Sequence, residues 1–430
     1  MKHSLVTANF SSVCKSTLGG LSNQLLMTTG LLLSSIALAH SAQARIEVLF
    51  HPHDPTLEQI ATWIQEADQQ IDIAMYNMDT TDGSPVIREL KSPATQARLR
   101  SGELRIRLLF EGYATPAENE VKMQALEDLG IDVRFLGRSV KVHHKFAAID
   151  TGTKRERVIS GSANWSLSSY RNYHENIVFF EGEAEASDQF QAEFERLWAN
   201  SEEFGGTLGH PAVETRDRSQ RDLDIHFNTL QRLRLDRQAP TLTSQIVRAI
   251  DAADRQLDIA TTRIRLPEVL EAIARAADRG VKVRAVINQD DYRDLHKRKS
   301  WLERDNIELR VKAFNLLPSE YLTHQMHNKF MIVDGRDVLT GSFNWSKSAE
   351  TNHIENLIEL RGRSAQQVLS RFQSEFDAIW DLGRDKLPSL QARVQRAKSR
   401  GESLGCLFSP IAMTAKEYRA LYRQASECTP

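Results

Sequence analysis

The sequence predicts an α/β protein built from two similar halves, each a mixed sheet with helices on both faces. Short apolar strands alternate with helical segments along the chain, as they do in α/β domains. The order of these elements also recurs, so that Ile71-Asp-Ile-Ala74 in the first half is matched by Leu257-Asp-Ile-Ala260 in the second. A chain of 430 residues, 41% hydrophobic and 26% charged, is long enough for two domains of about 190 residues.

The first half is predicted to begin with an alternating apolar strand, Ile46 to Phe50, and to close with an amphipathic helix, Ala184 to Trp198. Apolar positions at helical spacing predict a helix over 57–69, and Gly130 is a typical C-cap for a second helix over 118–129. The other predicted strands are 71–76, 104–110, 131–135, the segment that carries His143 and Lys145, 157–160 and 176–180.

The second half is predicted to repeat this order and to close on a similar helix, Ala365 to Trp380. Its predicted strands are 223–227, 257–260, 281–287, 307–310 and 356–360, and its other helices are 243–253 and 267–279. The predicted domains are therefore an N-terminal domain over 45–200, a linker over 201–221, a C-terminal domain over 222–385 and a tail over 386–430 that adds surface helices.

The first 44 residues are expected to lie outside the fold. Lys2 and Lys15 precede an apolar run from Leu25 to Ala39, and Ala42-Gln43-Ala44 has the A-x-A pattern of a cleavage site. The run is short for a membrane span, which needs about 20 apolar residues. We therefore expect a signal peptide cleaved after Ala44 and export to the periplasm or beyond, with a retained N-terminal anchor as the alternative.

Charge and cysteine content restrict the function only in part. The formal net charge is −2 and the pI is near 6.7, so the average charge favours neither a nucleic-acid binder nor an anionic-membrane binder, although a local basic groove remains compatible with it. Cys14 would be removed with the signal peptide. Cys406 and Cys428 remain, and in an oxidising compartment we expect them to form a disulfide, with two free thiols as the alternative.

One pattern of polar residues occurs twice: H-x-K-x4-D, then G-S-x-N-W-S, then Glu-Asn. The first copy comprises residues 143–150, 161–166 and 175–176, and the second comprises residues 327–334, 341–346 and 355–356. A single H-x-K-x4-D is a weak signal, because three fixed letters recur by chance. Two copies with the same downstream patterns indicate a repeated functional unit.

These motifs resemble the signature of the phospholipase D superfamily, H-x-K-x4-D followed by G-S-x-N. The resemblance covers nearly the whole chain after residue 44. It implies two α/β/α sandwich domains related by a pseudo-two-fold axis, whose motifs meet in one phosphodiesterase site. The protein is then expected to be a monomer that contains an intramolecular pseudo-dimer.

The residue types suit the chemistry of a phosphodiester. Residues two apart on a strand face the same side, so His143 and Lys145 are expected to project together while His144 points away. Lysines and the amides of Asn164 and Asn344 can hold the negative charge that a metal would otherwise hold.

Imidazoles can act as nucleophile, acid or base near neutral pH. Glu175 and Glu355 are placed to accept a hydrogen bond from an imidazole N–H and so to define its tautomer.

The resemblance implies covalent catalysis through a phosphohistidine, with no metal or other cofactor. We assign the nucleophile to His143, because the N-terminal motif usually supplies it, and the acid and base to the other histidine. For Asp150 and Asp334 the resemblance implies a role that is more structural than catalytic. The predicted catalytic set is His143, Lys145, Asp150, His327, Lys329 and Asp334, and the predicted phosphate-binding or supporting set is Ser162, Asn164, Glu175, Ser342, Asn344 and Glu355.

Three other features have competing interpretations. His51 and His53 flank a proline in a turn, where solvated residues are favoured over a metal pair. Trp165 and Trp345 are more typical of a core than of a substrate platform. The apolar segment from Lys312 to Met326 is either a substrate-contact loop or a hydrophobic plug.

The predicted activity is hydrolysis of a phosphodiester. A phospholipase D that acts on phospholipids, with peripheral contact to a membrane, is favoured by export and near-neutral charge. The alternative is a metal-independent nuclease acting on DNA or RNA, because G-S-F-N-W-S followed by N-x-x-E-N-L resembles the small nuclease branch. A cardiolipin-synthase type of transferase is disfavoured because it would normally carry membrane spans, and a non-catalytic binding protein is disfavoured because no motif letter is missing.

Overall fold

The computed structural model describes residues 44–112, 116–137, 140–206, 208, 210–214, 222–295, 304–316, 324–401 and 407–424. Three predictions fall outside these ranges and stay predictions: the signal peptide, the disulfide between Cys406 and Cys428, and the role of the middle of the apolar segment, residues 317–323.

The first half contains the elements that the sequence predicts, with several short ones added. In chain order they are β1 (Arg45–His51), α1 (Thr56–Glu66), β2 (Gln70–Met75), α2 (Pro85–Leu90), α3 (Pro93–Ser101), β3 (Arg105–Phe110), α4 (Pro116–Glu127), β4 (Asp132–Phe135), β5 (Lys141–Val142), β6 (Lys145–Ile149), β7 (Arg157–Gly161), α5 (Leu167–Asn172), β8 (Glu175–Glu181), α6 (Ala184–Ala199) and β9 (Glu202–Glu203).

The second half repeats this order and adds a C-terminal extension. Its elements are β10 (Leu223–Phe227), α7 (Thr229–Arg232), α8 (Leu242–Asp251), β11 (Gln256–Thr261), α9 (Pro267–Asp278), β12 (Lys282–Asn288), α10 (Gln289–Leu295), β13 (Ile307–Asn315), β14 (Lys329–Val333), β15 (Asp337–Gly341), α11 (Lys347–Asn352), β16 (His353–Ile354), β17 (Asn356–Leu360), α12 (Gly362–Trp380), α13 (Leu387–Arg400), β18 (Leu407–Thr414) and α14 (Ala415–Gln424).

Each half forms an eight-stranded sheet, and the two sheets have the same strand order. The first runs β1-β8-β7-β6-β2-β3-β4-β9 and the second β10-β17-β15-β14-β11-β12-β13-β18. In both sheets three consecutive strands are parallel, β2-β3-β4 and β11-β12-β13, and the other pairs are antiparallel. The predicted fold class, a repeated α/β unit with mixed sheets, is confirmed.

The outer edges of the two sheets differ. The edge of the first sheet is β9, which has two residues, whereas β18 places eight residues of the tail alongside β13. The prediction that the tail adds only helices is therefore wrong. Pro410 lies within β18, and proline weakens a strand prediction because it is tolerated mainly at sheet edges.

A central hydrophobic core contains residues from both halves. Helix α12 of the second half packs on β1 of the first, and α6 of the first half packs on β10 of the second. The ring of Phe372 on α12 lies 5.3 Å from that of Phe50 on β1 and 5.0 Å from that of Phe330 on β14, both edge to face. Hydrophobic burial therefore joins the two halves directly, in addition to the linker between them.

Several single-residue expectations are also tested by burial. Trp165 and Trp345 are each 1% exposed, so the prediction that they belong to the core is confirmed. In the apolar segment, Phe314 and Leu316 are buried, which supports the plug interpretation for these two residues. Within the described ranges, no helix is both long enough and apolar enough to cross a membrane.

The aspartate of each H-x-K-x4-D motif anchors a turn at the far end of the motif strand. Asp150 accepts hydrogen bonds from the backbone N–H groups of residues 68–70 at 2.6, 2.8 and 3.0 Å, and Asp334 accepts them from residues 254–256 at 3.0, 2.7 and 3.0 Å. Each aspartate is five residues beyond the motif lysine, about 16 Å along an extended strand. Their grouping with the catalytic residues is therefore corrected, and the structural role that the resemblance implied agrees with the geometry.

We expect Asp150→Ala to lower the free energy of unfolding by about 2 to 4 kcal/mol, because three backbone N–H groups lose a charged acceptor. Alanine is also strained at the φ of 51° that this position adopts. Asp150→Asn should cost less, since asparagine keeps an acceptor and tolerates that φ. Urea unfolding measures both, with the exposed Asp82→Ala as control; wild-type stability of Asp150→Ala would contradict the anchoring role.

Candidate active site

The two H-x-K motifs lie at the start of equivalent central strands of the two sheets. Lys145 begins β6 opposite Met75 at the end of β2, and Lys329 begins β14 opposite Thr261 at the end of β11. Both lysines are buried, and each Nζ donates a hydrogen bond to the carbonyl oxygen of the motif histidine two residues before it. Nζ of Lys329 also lies 3.0 Å from Nδ1 of His327, and the His143 ring and Nζ of Lys145 both lie 4.8 Å from the ring of Tyr76. The prediction that the histidine and lysine of each motif project together is therefore confirmed.

The residue between them points elsewhere, as predicted. His144 is fully buried, and its Nε2 lies 3.1 Å from a carboxylate oxygen of Glu193 on α6. Its Nδ1 lies 3.2 Å from the side-chain amide nitrogen of Asn356. His144 therefore contributes to the contact between the halves and not to the catalytic pocket.

Backbone hydrogen bonds connect each motif to the opposite half. The N–H of His143 donates to the carbonyl oxygen of Ile354 at 3.0 Å, and the N–H of His327 donates to that of His174 at 2.9 Å. Beside the first of these bonds, β5 and β16 pair in parallel. Both acceptors immediately precede the glutamates of the Glu-Asn pairs, so each histidine is placed next to the glutamate of the other half.

The histidine of each motif faces a glutamate of the opposite half. Nδ1 of His143 lies 2.9 Å from Oε2 of Glu355, and Nδ1 of His327 lies 2.9 Å from Oε2 of Glu175. Both glutamate side chains are completely buried. At His143 the ionised carboxylate accepts the Nδ1–H, which leaves the lone pair of Nε2 directed away from the carboxylate and available to a substrate. Nδ1 of His327 also lies 3.0 Å from Nζ of Lys329, so the carboxylate and the ammonium group compete for this nitrogen.

Burial is the largest influence on the pKa of both histidines. It lowers the pKa of His143 well below 6.5 and that of His327 to about 4, and this outweighs the facing glutamates, which raise both values. Burial alone would raise the pKa of the glutamates, but attraction from the histidines and the lysines lowers that of Glu175 to about 2 and also lowers that of Glu355. Near pH 7 the site therefore contains neutral imidazoles and ionised carboxylates.

The lysines are close to their titration points. Burial lowers the pKa of Lys145 to about 7 and that of Lys329 to about 8, although the two buried glutamates raise both. The charge of Lys329 adds to the lowering for Lys145, which shows that the two motifs share one electrostatic environment. An anion bound between two such groups raises their pKa values and makes both fully cationic.

The first residues of G-S-x-N-W-S support the glutamates. A Cβ atom at Gly161 would lie 2.3 Å from the carbonyl oxygen of Asn176, so only glycine allows this approach of β7 to β8. Ser162 Oγ accepts the N–H of Asn176 at 3.0 Å. The second copy repeats both features, with 2.5 Å for Gly341 and 3.0 Å for Ser342. Each serine therefore holds the residue that follows the glutamate. Of the two roles predicted for the serines, phosphate binding or support, this geometry fits support.

The asparagines of this motif are not committed to the fold in the same way. Oδ1 of Asn164 and Oδ1 of Asn344 are buried and have no hydrogen-bond partner among the described residues. The predicted contact of both side-chain amides with a phosphodiester stays a prediction.

The profile of the family described as "Cardiolipin synthase, PLD-like domain" matches residues 60–198 and 246–380, which together are more than half of the chain. The chain belongs to this phospholipase D-like family. Each matched segment contains one H-x-K-x4-D motif and the G-S-x-N-W-S that follows it.

Curated relatives of the family are similar to about one third of the chain. The mitochondrial cardiolipin hydrolase of Chlamydomonas reinhardtii is 31% identical over 143 residues, 33% of this chain and 59% of that protein. The human mitochondrial cardiolipin hydrolase is 32% identical over 138 residues, 32% of this chain and 50% of that protein. The chain thus spans about half the length of these relatives.

A solved structure resembles a larger share of the chain. The phosphatidylserine synthase of Haemophilus influenzae has a TM-score of 0.57 and 15% identity, and the match covers 78% of this chain and 86% of that one. At this identity the likeness concerns the fold alone.

The two family motifs are supported by different side chains, which the sequence reasoning missed. Oε1 of Glu175 accepts a hydrogen bond from Ser169 Oγ at 2.7 Å, and His51 Nδ1 lies 3.4 Å from the same hydroxyl. In the second half Ala349 occupies the position of Ser169, three residues after the helix-capping serine. The S-x-x-S spacing of Ser166 and Ser169 is visible in the sequence. The hydrogen bond from Ser169 to Glu175 is not.

The position of His51 corrects a prediction. His51 is completely buried, because β1 extends through it and pairs it with Glu175 in the neighbouring strand. Burial lowers its pKa to about 4. The expectation of a solvated turn residue is wrong for His51, whereas His53 is exposed as predicted.

Aromatic rings flank both catalytic histidines. The ring of Tyr76 lies 4.8 Å from that of His143 and also 4.8 Å from Lys145 Nζ. Tyr173 lies 5.8 Å from His327. These rings pack beside the imidazoles. Neither tyrosine belongs to a motif, so the sequence reasoning had no reason to single them out.

We expect Ser169→Ala to lower kcat roughly tenfold with little change in KM, because Glu175 loses a hydrogen bond that holds it against His327. Steady-state kinetics measures the split between kcat and KM. Ser168→Ala, an exposed position on the same helix, is the matched control and should be neutral. Equal kinetics for the two variants would show that the hydroxyl of Ser169 does not position the glutamate.

We expect kcat/KM to fall above about pH 7, where first Lys145 and then Lys329 lose the charge that attracts the phosphodiester. It should also fall at a pH well below 6.5, where the imidazole of His143, assigned above as the nucleophile, becomes protonated in the free enzyme. The plateau between these limits is checked by a pH–rate profile at low substrate concentration. An activity that keeps rising above pH 9 would contradict the assignment of Lys329 as the anion-binding cation.

Proposed function

We propose that this protein is a phospholipase D-type phosphodiesterase that hydrolyses phospholipids through a phosphohistidine. The observation that carries the proposal is the exchange of glutamates, in which each motif histidine is oriented by the opposite half. Two independent sites would not require this arrangement. It supports one site that uses both histidines on a single phosphorus.

The first step forms a covalent intermediate. Nε2 of His143 attacks phosphorus, a P–N bond forms, and the P–O bond to the leaving alcohol breaks while that oxygen takes a proton from Nε2 of His327. His327 is neutral in the free enzyme, so the negative charge of the bound substrate must raise its pKa for this role. Lys145 and Lys329 hold the charge of the phosphoryl oxygens.

The second step returns the enzyme to its starting state. A water molecule attacks phosphorus, its proton passes to Nε2 of His327, and the P–N bond to His143 breaks. The buried glutamates stabilise each imidazole as it gains positive charge. The lysines and the asparagine amides supply the charge stabilisation that a Lewis acid provides in metal-dependent phosphodiesterases.

The substrate class rests on similarity to the relatives. Two curated relatives are named cardiolipin hydrolase, although the chain matches only 59% and 50% of their lengths. A phospholipid is therefore the proposed substrate, and DNA or RNA is the alternative. We extend the proposal to an exported protein that acts as a monomer at the membrane surface, because of the N-terminal sequence and the presence of both motifs in one chain.

One assay in two arms tests the substrate class. Purified protein in EDTA is incubated with liposomes of cardiolipin or phosphatidylcholine, and separately with plasmid DNA. The proposal expects release of the alcohol and formation of a phosphatidic-acid product, detected by mass spectrometry, with intact DNA. Cleavage of DNA without lipid turnover would favour the nuclease, and no turnover in either arm would refute the phosphodiesterase.

The histidine variants test the shared site. His143→Ala and His327→Ala should each lower activity on the order of 10³-fold or more, because each deletes a covalent or proton-transfer step. The double variant should be little worse than either single one, since the residues act as a unit. Two separate sites would instead leave about half of the activity in each single variant.

The same variants assign the roles. With a p-nitrophenyl phosphodiester, whose leaving group needs no proton, His327→Ala should accumulate a phosphorylated His143 that mass spectrometry detects. His143→Ala should give no adduct. An adduct in His143→Ala alone would exchange the two roles and retain the mechanism.

A further inference from the structure

The second motif contains a histidine that the proposed mechanism does not use. His353 lies two residues before Glu355, and its Nδ1 is 3.5 Å from Oε1 of that glutamate. Both atoms are buried, and neither has a hydrogen-bond partner among the described residues. Nε2 of His353 lies 3.2 Å from Ser348 Oγ. When Nε2–H donates to that hydroxyl, the Nδ1 lone pair and the carboxylate oxygen face each other, and two acceptors so placed favour a cation between them.

Three donors converge at this point. One ligand atom each from His143, His353 and Glu355 lie within 4.8 Å of one another. The ring centroids of His143 and His353 are 5.6 Å apart, so both imidazoles reach the carboxylate from neighbouring positions. Two histidines and one glutamate are a common protein ligand set of zinc sites that keep a fourth position open. The Ser348 hydroxyl orients one of these histidines through its other nitrogen, as is usual for metal ligands.

The first half lacks such a set. Tyr173 occupies the position of His353, two residues before Glu175. Oε1 of Glu175, the oxygen that does not face His327, accepts a hydrogen bond from the hydroxyl of Ser169 at 2.7 Å. The sequence therefore contains two copies of the motif, but among the described residues only one set of two imidazoles and a carboxylate converges.

Another group with histidine and carboxylates differs in its charge balance. Asp224, His226 and Glu359 also lie within ligand distance of one another. Two arginines neutralise them, since Arg248 pairs with Glu359 at 2.6 Å and Arg361 pairs with both acids. This group serves as the internal control, because a divalent cation there would have to displace arginines.

We propose that a divalent transition-metal ion, with Zn²⁺ as the probe, binds at His143, His353 and Glu355 and inhibits the enzyme. The inhibition rests on the proposed function, because the ion takes the nucleophile and the carboxylate that orients it. No bond in the substrate is made or broken by the ion. The ammonium group of Lys145, which donates to the His143 carbonyl at 2.7 Å, opposes a second cation and limits the affinity.

Direct binding is tested without any substrate. The full protein is stripped with EDTA, exchanged into chelator-free buffer and titrated with Zn²⁺ by calorimetry, and with Co²⁺ by its visible absorption. We expect one site, and a loss of affinity of about 10- to 100-fold in His353→Tyr, which carries the residue of the first half. His226→Ala should bind like the wild type. Thermal unfolding and circular dichroism confirm that each variant is folded, and His353→Gln provides a second variant at the same position.

Inhibition is tested in the lipid assay, with each variant compared to its own zinc-free rate. Zn²⁺ should inhibit the wild type, EDTA should restore it, and His353→Tyr should need at least about tenfold more Zn²⁺ for the same inhibition. Equal zinc affinity in wild type and both His353 variants, or no binding to the wild type, would overturn the metal site and leave a proton as the shared cation. Loss of zinc binding in the His353 variants with unchanged inhibition would overturn the regulatory role. If no lipid is hydrolysed by the zinc-free wild type, the proposed function fails, while the calorimetric result still decides the metal site.

Discussion

Each motif histidine lies against a glutamate of the opposite half, and the arrangement of the candidate site depends on this exchange. The pairs His143–Glu355 and His327–Glu175 have the same length, 2.9 Å, and all four side chains are largely buried. Neither half contains a complete site, because each supplies the imidazole of one pair and the carboxylate of the other. The buried carboxylates oppose the effect of burial, since they raise the pKa of both imidazoles and of both lysines.

Buried charges of this kind are costly unless each has a partner in good geometry. The site has two glutamates and two lysines in one buried environment, with the imidazoles between them, and the charges compensate one another across the halves. Such compensation needs positions that are held firmly, which the shared core provides through Phe372, Phe50 and Phe330. The glycine and serine of each G-S-x-N-W-S add to this by holding the glutamate strand against its neighbour.

The two halves carry the same motifs, but different side chains surround the glutamate of each motif. Glu175 is held by Ser169, with His51 behind it, whereas Glu355 faces the ring of His353. In the proposed mechanism the two histidines perform different steps, and unequal surroundings are a physical route to that difference. The same asymmetry leaves one half with a ligand set that the other half lacks.

Much of the fold could be read from local patterns. The strands at 71–76 and 257–260, the two closing helices and the mixed α/β class were predicted correctly. Strand alternation and helical spacing can be recognised in a short stretch of sequence, because apolar residues occupy its buried positions. The strand from Leu407 to Thr414 did not, since its pairing with β13 is a long-range contact and Pro410 weakens the local signal. His51 was misread for the same reason, because its burial comes from a strand more than 120 residues away in the sequence.

The sequence by itself determined the motif residues, the family and the α/β repeat, because a duplicated pattern can be recognised along the chain without knowledge of the contacts that its residues make. It also indicated that Glu175 and Glu355 would serve the imidazoles, from residue type alone. Only the tertiary structure decided which glutamate serves which histidine, that Asp150 and Asp334 anchor turns, and that Ser169, His51 and His353 surround the pairs. Those facts depend on how the two sheets pack across a shared core. Glu355 is 212 residues from His143, and the spacing of residues within a motif carries no information about contacts over such a separation.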